Sequence, residues 1–154
     1  MNVGIIGLGV GEKHLEIFES HPGVNEVNVC DFDQNKLTDV MNRHKNIKSC
    51  KNPNEILRDP NIDLISICSY DNFHCDQIID ALNNKKHIFV EKPICLSEKE
   101  LSSIKSIYSK NKELKVSSNF ILRKEPRFIE LMERVRGGEL GEIYYAEGSY
   151  DYGR

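Results

Sequence analysis

Three glycines fall close together near the amino terminus, in Gly7-Leu8-Gly9-Val10-Gly11, and an acid, Asp31, follows about 20 residues later. Glycines in such a turn can cradle phosphate. The first permits a tight bend, and the second lets backbone approach a pyrophosphate. A helix beginning at the turn then offers free N–H groups and the positive end of its dipole. A carboxylate at Asp31 accepts two hydroxyl hydrogen bonds from a ribose and repels a 2′-phosphate, so the set favours NAD over NADP. Gly7, Gly9, Val10 and Gly11 are therefore candidate pyrophosphate contacts, with Asp31 the candidate ribose ligand. The competing role for Asp31, capping the next helix, suits Asp33 better.

The glycine spacing departs from the usual pattern, because only Val10 separates Gly9 from Gly11. In strict register the third glycine position is Glu12, whose carboxylate would repel a phosphate. Two arrangements are open. Either the loop is one residue shorter and Gly11 does the third glycine's work, or Glu12 points outward.

Around this turn the chain alternates strand and helix. Val3, Ile5 and Ile6 suit a buried parallel strand, and Leu15 and Phe18 mark one face of the helix that follows. His21-Pro22-Gly23 breaks the chain. A second strand (Val27, Val29, Cys30) ends at Asp31, and Leu37, Val40 and Met41 mark a second helix. Asn52-Pro53-Asn54-Glu55 is a helix start that Asp59-Pro60 closes. Residues 63–69 form a buried strand whose end falls where a doubly wound sheet reverses its order, so the residues after it should line a ligand crevice. A helix with Cys75, Ile78, Ile79 and Leu82 inward comes next, then a fifth strand, residues 87–90, ending in Glu91-Lys92-Pro93. Ser97 and Glu100 form a capping box for a helix carrying Leu101, Ile104, Ile107 and Tyr108. Val116 centres a sixth strand. Pro126 opens a last helix with Phe128, Leu131, Met132 and Val135 inward, and residues 142–150 read as a strand with no partner after it. Six alternations predict an α/β fold, a doubly wound parallel sheet.

At 154 residues the chain is one ordinary domain with a short piece of a second. Its 39% apolar and 29% charged residues describe a soluble globular protein, expected in the cytoplasm. The net charge of −3 supplies no basic stripe for nucleic acid or anionic membrane. No apolar run reaches the length of a membrane span, and the amino terminus lacks signal-peptide features. Five cysteines (Cys30, Cys50, Cys68, Cys75, Cys95), with no Cys-x-x-Cys pair, read as reduced and mostly buried thiols rather than a metal site.

Gly-Ile-Ile-Gly-Leu-Gly, Asp31, the loop carrying His74, Glu91-Lys92-Pro93 and Gly141-Glu142-Ile143 together resemble the Gfo/Idh/MocA family of NAD(P)-dependent oxidoreductases. The resemblance covers essentially the whole chain, and the Glu-Lys-Pro triplet is its most specific mark. It implies an NAD(P)-binding Rossmann domain over residues 1–124. Residues 125–154 would then be the connecting helix and first strand of a truncated α+β substrate domain. It further implies that Lys92 lies beside nicotinamide and substrate as the catalytic proton relay or polarising group, held by Glu91, with Pro93 fixing the turn. An ammonium there would stabilise a developing alkoxide.

Where that family has Thr-Pro-Asn-x-x-His, this chain has Ser69-Tyr70-Asp71-Asn72-Phe73-His74. Ser69, Tyr70 and His74 thereby become cofactor-side candidates. His74 is read as a helix-start residue shaping the crevice rather than a general base. Asn119 and Arg123 match a segment leading toward the substrate. The expected activity is hydride transfer between NAD and a hydroxyl of a sugar, sugar nucleotide or cyclitol, with the short chain inactive alone. The alternative is a non-catalytic NAD-binding sensor or partner-binding module. A tyrosine-rich edge (Tyr144, Tyr145, Tyr150, Tyr152) predicts homo-oligomers through the 142–150 strand.

Overall fold

The computed structural model describes residues 1–151. Six strands form one parallel sheet: β1 (Asn2–Ile6), β2 (Glu26–Cys30), β3 (Ile47–Ser49), β4 (Leu64–Ile67), β5 (His87–Val90) and β6 (Val116–Ser118). The helices between them are α1 (Gly11–Ser20), α2 (Gln34–Arg43), α3 (Pro53–Arg58), α4 (Asp71–Asn83) and α5 (Glu98–Tyr108). The spatial order is β3-β2-β1-β4-β5-β6, so the chain winds outward from β1 on one side and then from β4 on the other. This is the doubly wound arrangement, whose switch point lies between β1 and β4.

A strand with helices on both faces must be apolar on both. β1 follows that rule, with Val3 and Ile5 facing one layer and Ile6 the other. One core packs β1 and β2 against Leu15 of α1 and Leu37 and Val40 of α2. The second packs the sheet against Ile56 of α3, Ile78 and Leu82 of α4, and Ile104 of α5. Each such side chain contributes about 1.5–3 kcal/mol by leaving water. The expected caps form. Asp33 Oδ1 accepts from the Asn35 and Lys36 N–H groups, Asn52 accepts from Asn54 N–H, and Ser97 Oγ accepts from Glu100 N–H. β3 is the strand that the hydropathy pattern does not locate. It has only three residues, and of these only Ile47 is buried.

Register sets the site. Cys30, Ile6, Ile67, Val90 and Ser118 form one transverse row across five strands. The next residue of each strand continues the ladder: Gly7 N–H to Cys30 O (2.8 Å), Cys68 N–H to Ile6 O (2.7 Å), Glu91 N–H to Ile67 O (2.8 Å) and Asn119 N–H to Val90 O (2.9 Å). Asp31, Gly7, Cys68, Glu91 and Asn119 therefore stand side by side along the carboxyl edge.

The chain separates into two compact units, residues 1–119 and 120–154. The second holds a 3-10 turn (Ile121–Lys124) and α6 (Pro126–Arg136). One expectation about it fails. Phe128, Leu131, Met132 and Val135 are not inward; all four are exposed, since none of the described residues covers the apolar stripe of α6. Residues 142–150, read from the sequence as a strand with no partner after it, pair with none of the described residues. Tyr144 and Tyr145 are exposed, and Tyr152 lies outside the described residues. Among the described residues, no helix is long and apolar enough to cross a membrane.

Candidate nucleotide site at the carboxyl edge

The three glycines have three different reasons to be glycine. Gly7 adopts φ +89°, and a Cβ there would stand 2.4 Å from the Cys68 carbonyl oxygen, so the bend itself excludes side chains. Gly11 opens α1 against the sheet, where a Cβ would meet Ile5 Cγ2 at 3.0 Å and Cys68 Cβ at 3.2 Å. This is the close helix–strand packing expected of a third glycine, so the loop is one residue short and Gly11 fills that role. Glu12 also points away, ion-paired with Arg43 of α2 and 3.8 Å from His44 Nε2. Both arrangements left open by the spacing hold together.

Gly9 is different. A Cβ there would meet nothing nearer than Lys36 Nζ, 4.0 Å away. The fold does not require glycine at this position. Beside it Val10 caps α1 without a side-chain hydrogen bond; Lys13 N–H donates to Val10 O at 2.9 Å, which leaves the Gly11 and Glu12 N–H groups for an anion.

Asp31 is buried, 6% exposed, and its two oxygens are already engaged. Oδ2 accepts from Leu8 N–H at 2.6 Å inside the glycine turn, and Oδ1 accepts from Asp33 N–H at 2.9 Å. Each carboxylate oxygen has a further lone pair, so capacity for a hydroxyl remains. The acid thus ties the end of β2 to the glycine turn before any ligand arrives.

At the other end of the edge, Glu91 gathers three donors. Asn119 Nδ2 donates to Oε1 at 2.7 Å, His14 Nε2 lies 3.2 Å from the same oxygen, and Lys92 N–H donates to Oε2 at 3.3 Å. His14 completes the chain on its other side, with Nδ1 2.8 Å from Ser66 Oγ and 3.2 Å from Cys68 Sγ, and its ring 5.3 Å from Phe89. With the carboxylate as acceptor, Nε2 carries a proton. Burial pushes the Cys68 thiol up to about 12, so it stays protonated.

His74 is fully buried in the first turn of α4, with Nδ1 2.6 Å from Pro93 O and Nε2 3.1 Å from Ser69 O. It pins the loop after β4 to the Glu91-Lys92-Pro93 turn, as a residue shaping the crevice rather than an accessible base. Ser69 Oγ donates to Gln77 Oε1 at 2.7 Å. Tyr70 is the residue before α4 and is exposed. Lys92 is exposed, and its ammonium makes no hydrogen bond or ion pair among the described residues. Its neighbours are anchored on both sides while its own charge is left unspent. Arg123 lies in the second unit, over the Phe120 ring.

His14 is the member of this polar edge that sequence reading passes over, although it carries a signal in sharing the buried face of α1 with Leu15.

Residues 1–120 match the model of an oxidoreductase family, GFO_IDH_MocA, described as having an NAD-binding Rossmann fold. The chain is 35% identical over 154 residues to the scyllo-inositol 2-dehydrogenase (NAD(+)) of Bacillus subtilis, covering 97% of this chain and 44% of that protein. It is 30% identical over 145 residues to the myo-inositol 2-dehydrogenase of Thermotoga maritima, covering 92% and 42%. A crystal structure of scyllo-inositol dehydrogenase from Lactobacillus casei, with bound cofactor NAD(H) and scyllo-inositol, superposes with a TM-score of 0.83 at 25% identity, covering 93% of this chain and 43% of that one. The chain thus spans well under half the length of these relatives. With the glycine turn, the strand order and the family match in agreement, this chain belongs to the Gfo/Idh/MocA oxidoreductase family and carries its NAD-binding Rossmann fold.

Proposed function

We propose that this chain is the nucleotide-binding part of an oxidoreductase that moves a hydride between NAD and a hydroxyl-bearing carbon of a cyclitol, sugar or sugar nucleotide. The observation that carries the reading is Gly9, exposed in the turn, where a Cβ would meet nothing nearer than Lys36 Nζ at 4.0 Å, so no packing among the described residues accounts for a glycine there. In this reading Gly7, Gly9, Val10 and Gly11 hold the pyrophosphate, and Asp31 takes the ribose hydroxyls. Ser69, Tyr70 and His74 wall the crevice, and Glu91, Lys92 and Pro93 form its nicotinamide end. Bound NAD supplies the hydride acceptor. The chain's own contribution is the Lys92 ammonium, whose charge can stabilise negative charge developing on the reacting hydroxyl oxygen. Glu91, His14 and Asn119 hold the backbone beneath it.

The inositol activities of the relatives make cyclitols the first substrates to try. Residues 125–154 would lead into substrate-binding structure, either in a longer chain or in a partner. The exposed apolar stripe of α6 supports that need for a covering surface. It equally favours the second reading, an NAD-binding module acting through a partner. Self-association through residues 142–150 belongs to either reading, and light scattering tests it. For the main reading, NADH formation is followed with myo- and scyllo-inositol. NAD binding with little or no turnover is expected of this chain alone, and failure to bind NAD would contradict the reading.

A further inference from the structure

The two ring nitrogens of buried His14 face partners of different kinds. Nε2 lies 3.2 Å from Glu91 Oε1, and a carboxylate only accepts, so this nitrogen carries a proton. Nδ1 lies 2.8 Å from Ser66 Oγ, and a hydroxyl both donates and accepts. Ser66 can therefore donate to a bare Nδ1 or, by rotating its O–H, accept from a protonated one. Both charge states of the imidazole are satisfied in one heavy-atom arrangement.

The groups around the ring leave that proton as the variable. Cys68 Sγ, 3.2 Å from Nδ1, belongs to a thiol that burial keeps protonated, and Phe89 packs on the ring. β1 contains no ionisable side chain. At the end of β2 Asp31 is turned to the Leu8 and Asp33 N–H groups, and at its start Glu26 is turned to Asn28 and Lys48. On α1 itself Lys13 pairs with Glu16 in solvent, while Glu12 and Glu19 meet Arg43 and His44 beside α2. Lys92, next to Glu91, is exposed. His74 belongs to α4 and faces the Pro93 and Ser69 carbonyls.

His14 and Glu91 together thus carry one negative charge when Nδ1 is bare and none when it is protonated. An oxidised nicotinamide ring is a cation, and the reduced ring is neutral. We propose that His14 is a proton switch that sets how strongly this chain prefers the oxidised over the reduced cofactor. The inference rests on Glu91-Lys92-Pro93 forming the nicotinamide end of the site. With Nδ1 bare, the buried carboxylate favours the cationic ring; with Nδ1 protonated, the pair is neutral and the preference fades. By linkage, His14 holds that proton more firmly beside the reduced ring than beside the oxidised one.

Calorimetric titration of the full chain with NAD, NADH and ADP-ribose between about pH 6 and about pH 8, where imidazoles change charge, tests this. The ratio of the NADH to the NAD dissociation constant should rise about three- to tenfold from the acid to the alkaline end. ADP-ribose, which lacks the ring, should show no matching change. His14→Gln keeps an N–H for Glu91 but gains no proton, so its ratio should stay near the alkaline wild-type value at every pH. A further measurement needs no variant: binding heats in two buffers of different ionisation enthalpy should show NADH taking up more protons than NAD. A wild-type ratio that is flat with pH, equal proton uptake for the two cofactors, or a pH dependence that persists in His14→Gln overturns the switch while leaving NAD binding intact. A wild-type chain that binds none of the three ligands overturns the cofactor reading, and the switch with it.

Discussion

His14 Nε2 lies 3.2 Å from Glu91 Oε1, joining the helix that opens at the glycine turn to the triplet that carries Lys92. The two residues are far apart in sequence and both are buried. Ser66 extends the chain on one side and Asn119 on the other, so α1, β4, β5 and the end of β6 meet in one polar network beneath the crevice. Such a network stabilises its surroundings only while every member is satisfied.

Glu91→Ala removes the acceptor for Asn119 Nδ2, His14 Nε2 and Lys92 N–H together. Stranding buried donors should cost about 2–4 kcal/mol of folding stability. Glu91→Gln keeps one acceptor oxygen and should cost about half as much. Urea titration of the two variants checks the order.

Gly7→Ala and Gly11→Ala should both destabilise, the former more. At Gly7 the added methyl meets backbone in a left-handed conformation; at Gly11 it presses on side chains that can shift slightly. Losses of about 3 and about 1–2 kcal/mol are expected, measured as displaced urea midpoints.

Cys30 and Cys68 are held protonated by burial, at about 11 and about 12 respectively. Thiols in the unfolded chain ionise near about 8.5. Between those values the unfolded state binds fewer protons than the folded one, so stability falls as pH rises past about 9. Below that range these two thiols contribute no slope. Unfolding midpoints at pH 7 and pH 10 should differ less in a Cys30→Ala, Cys68→Ala double variant than in wild type.

Asp31→Ser should weaken NAD and narrow its advantage over NADP, because it removes the charge that opposes a 2′-phosphate. Lys36, whose ammonium lies near Gly9, is available to meet the added charge. Parallel titrations with NAD and NADP give the ratio. An unchanged ratio would count against Asp31 as the ribose ligand.

Much of this was legible before any coordinates. Buried strands such as Val3–Ile6 and caps such as Asp33, Asn52 and Ser97 are local patterns, and they formed where the chemistry said they would. β3 was not locatable, because one buried isoleucine in three residues is no pattern. The inward face assigned to α6 failed for a different reason: periodicity shows that a helix has an apolar stripe, not that anything covers it. Glu12 was ambiguous because spacing alone does not say where a side chain points. The Arg43 partner that resolves it lies a whole βα unit away. The His14–Glu91 pairing is likewise a product of sheet order and is invisible to local reading.

Titration of Gly9→Ala with NAD, beside wild type, tests the central claim most directly. The methyl enters open space, so the thermal midpoint should match wild type to within a degree or two, while NAD affinity falls at least tenfold as the methyl takes the pyrophosphate's place. If the variant keeps its stability and still binds NAD as wild type does, the glycine turn is not the nucleotide cradle and the site described here is wrong.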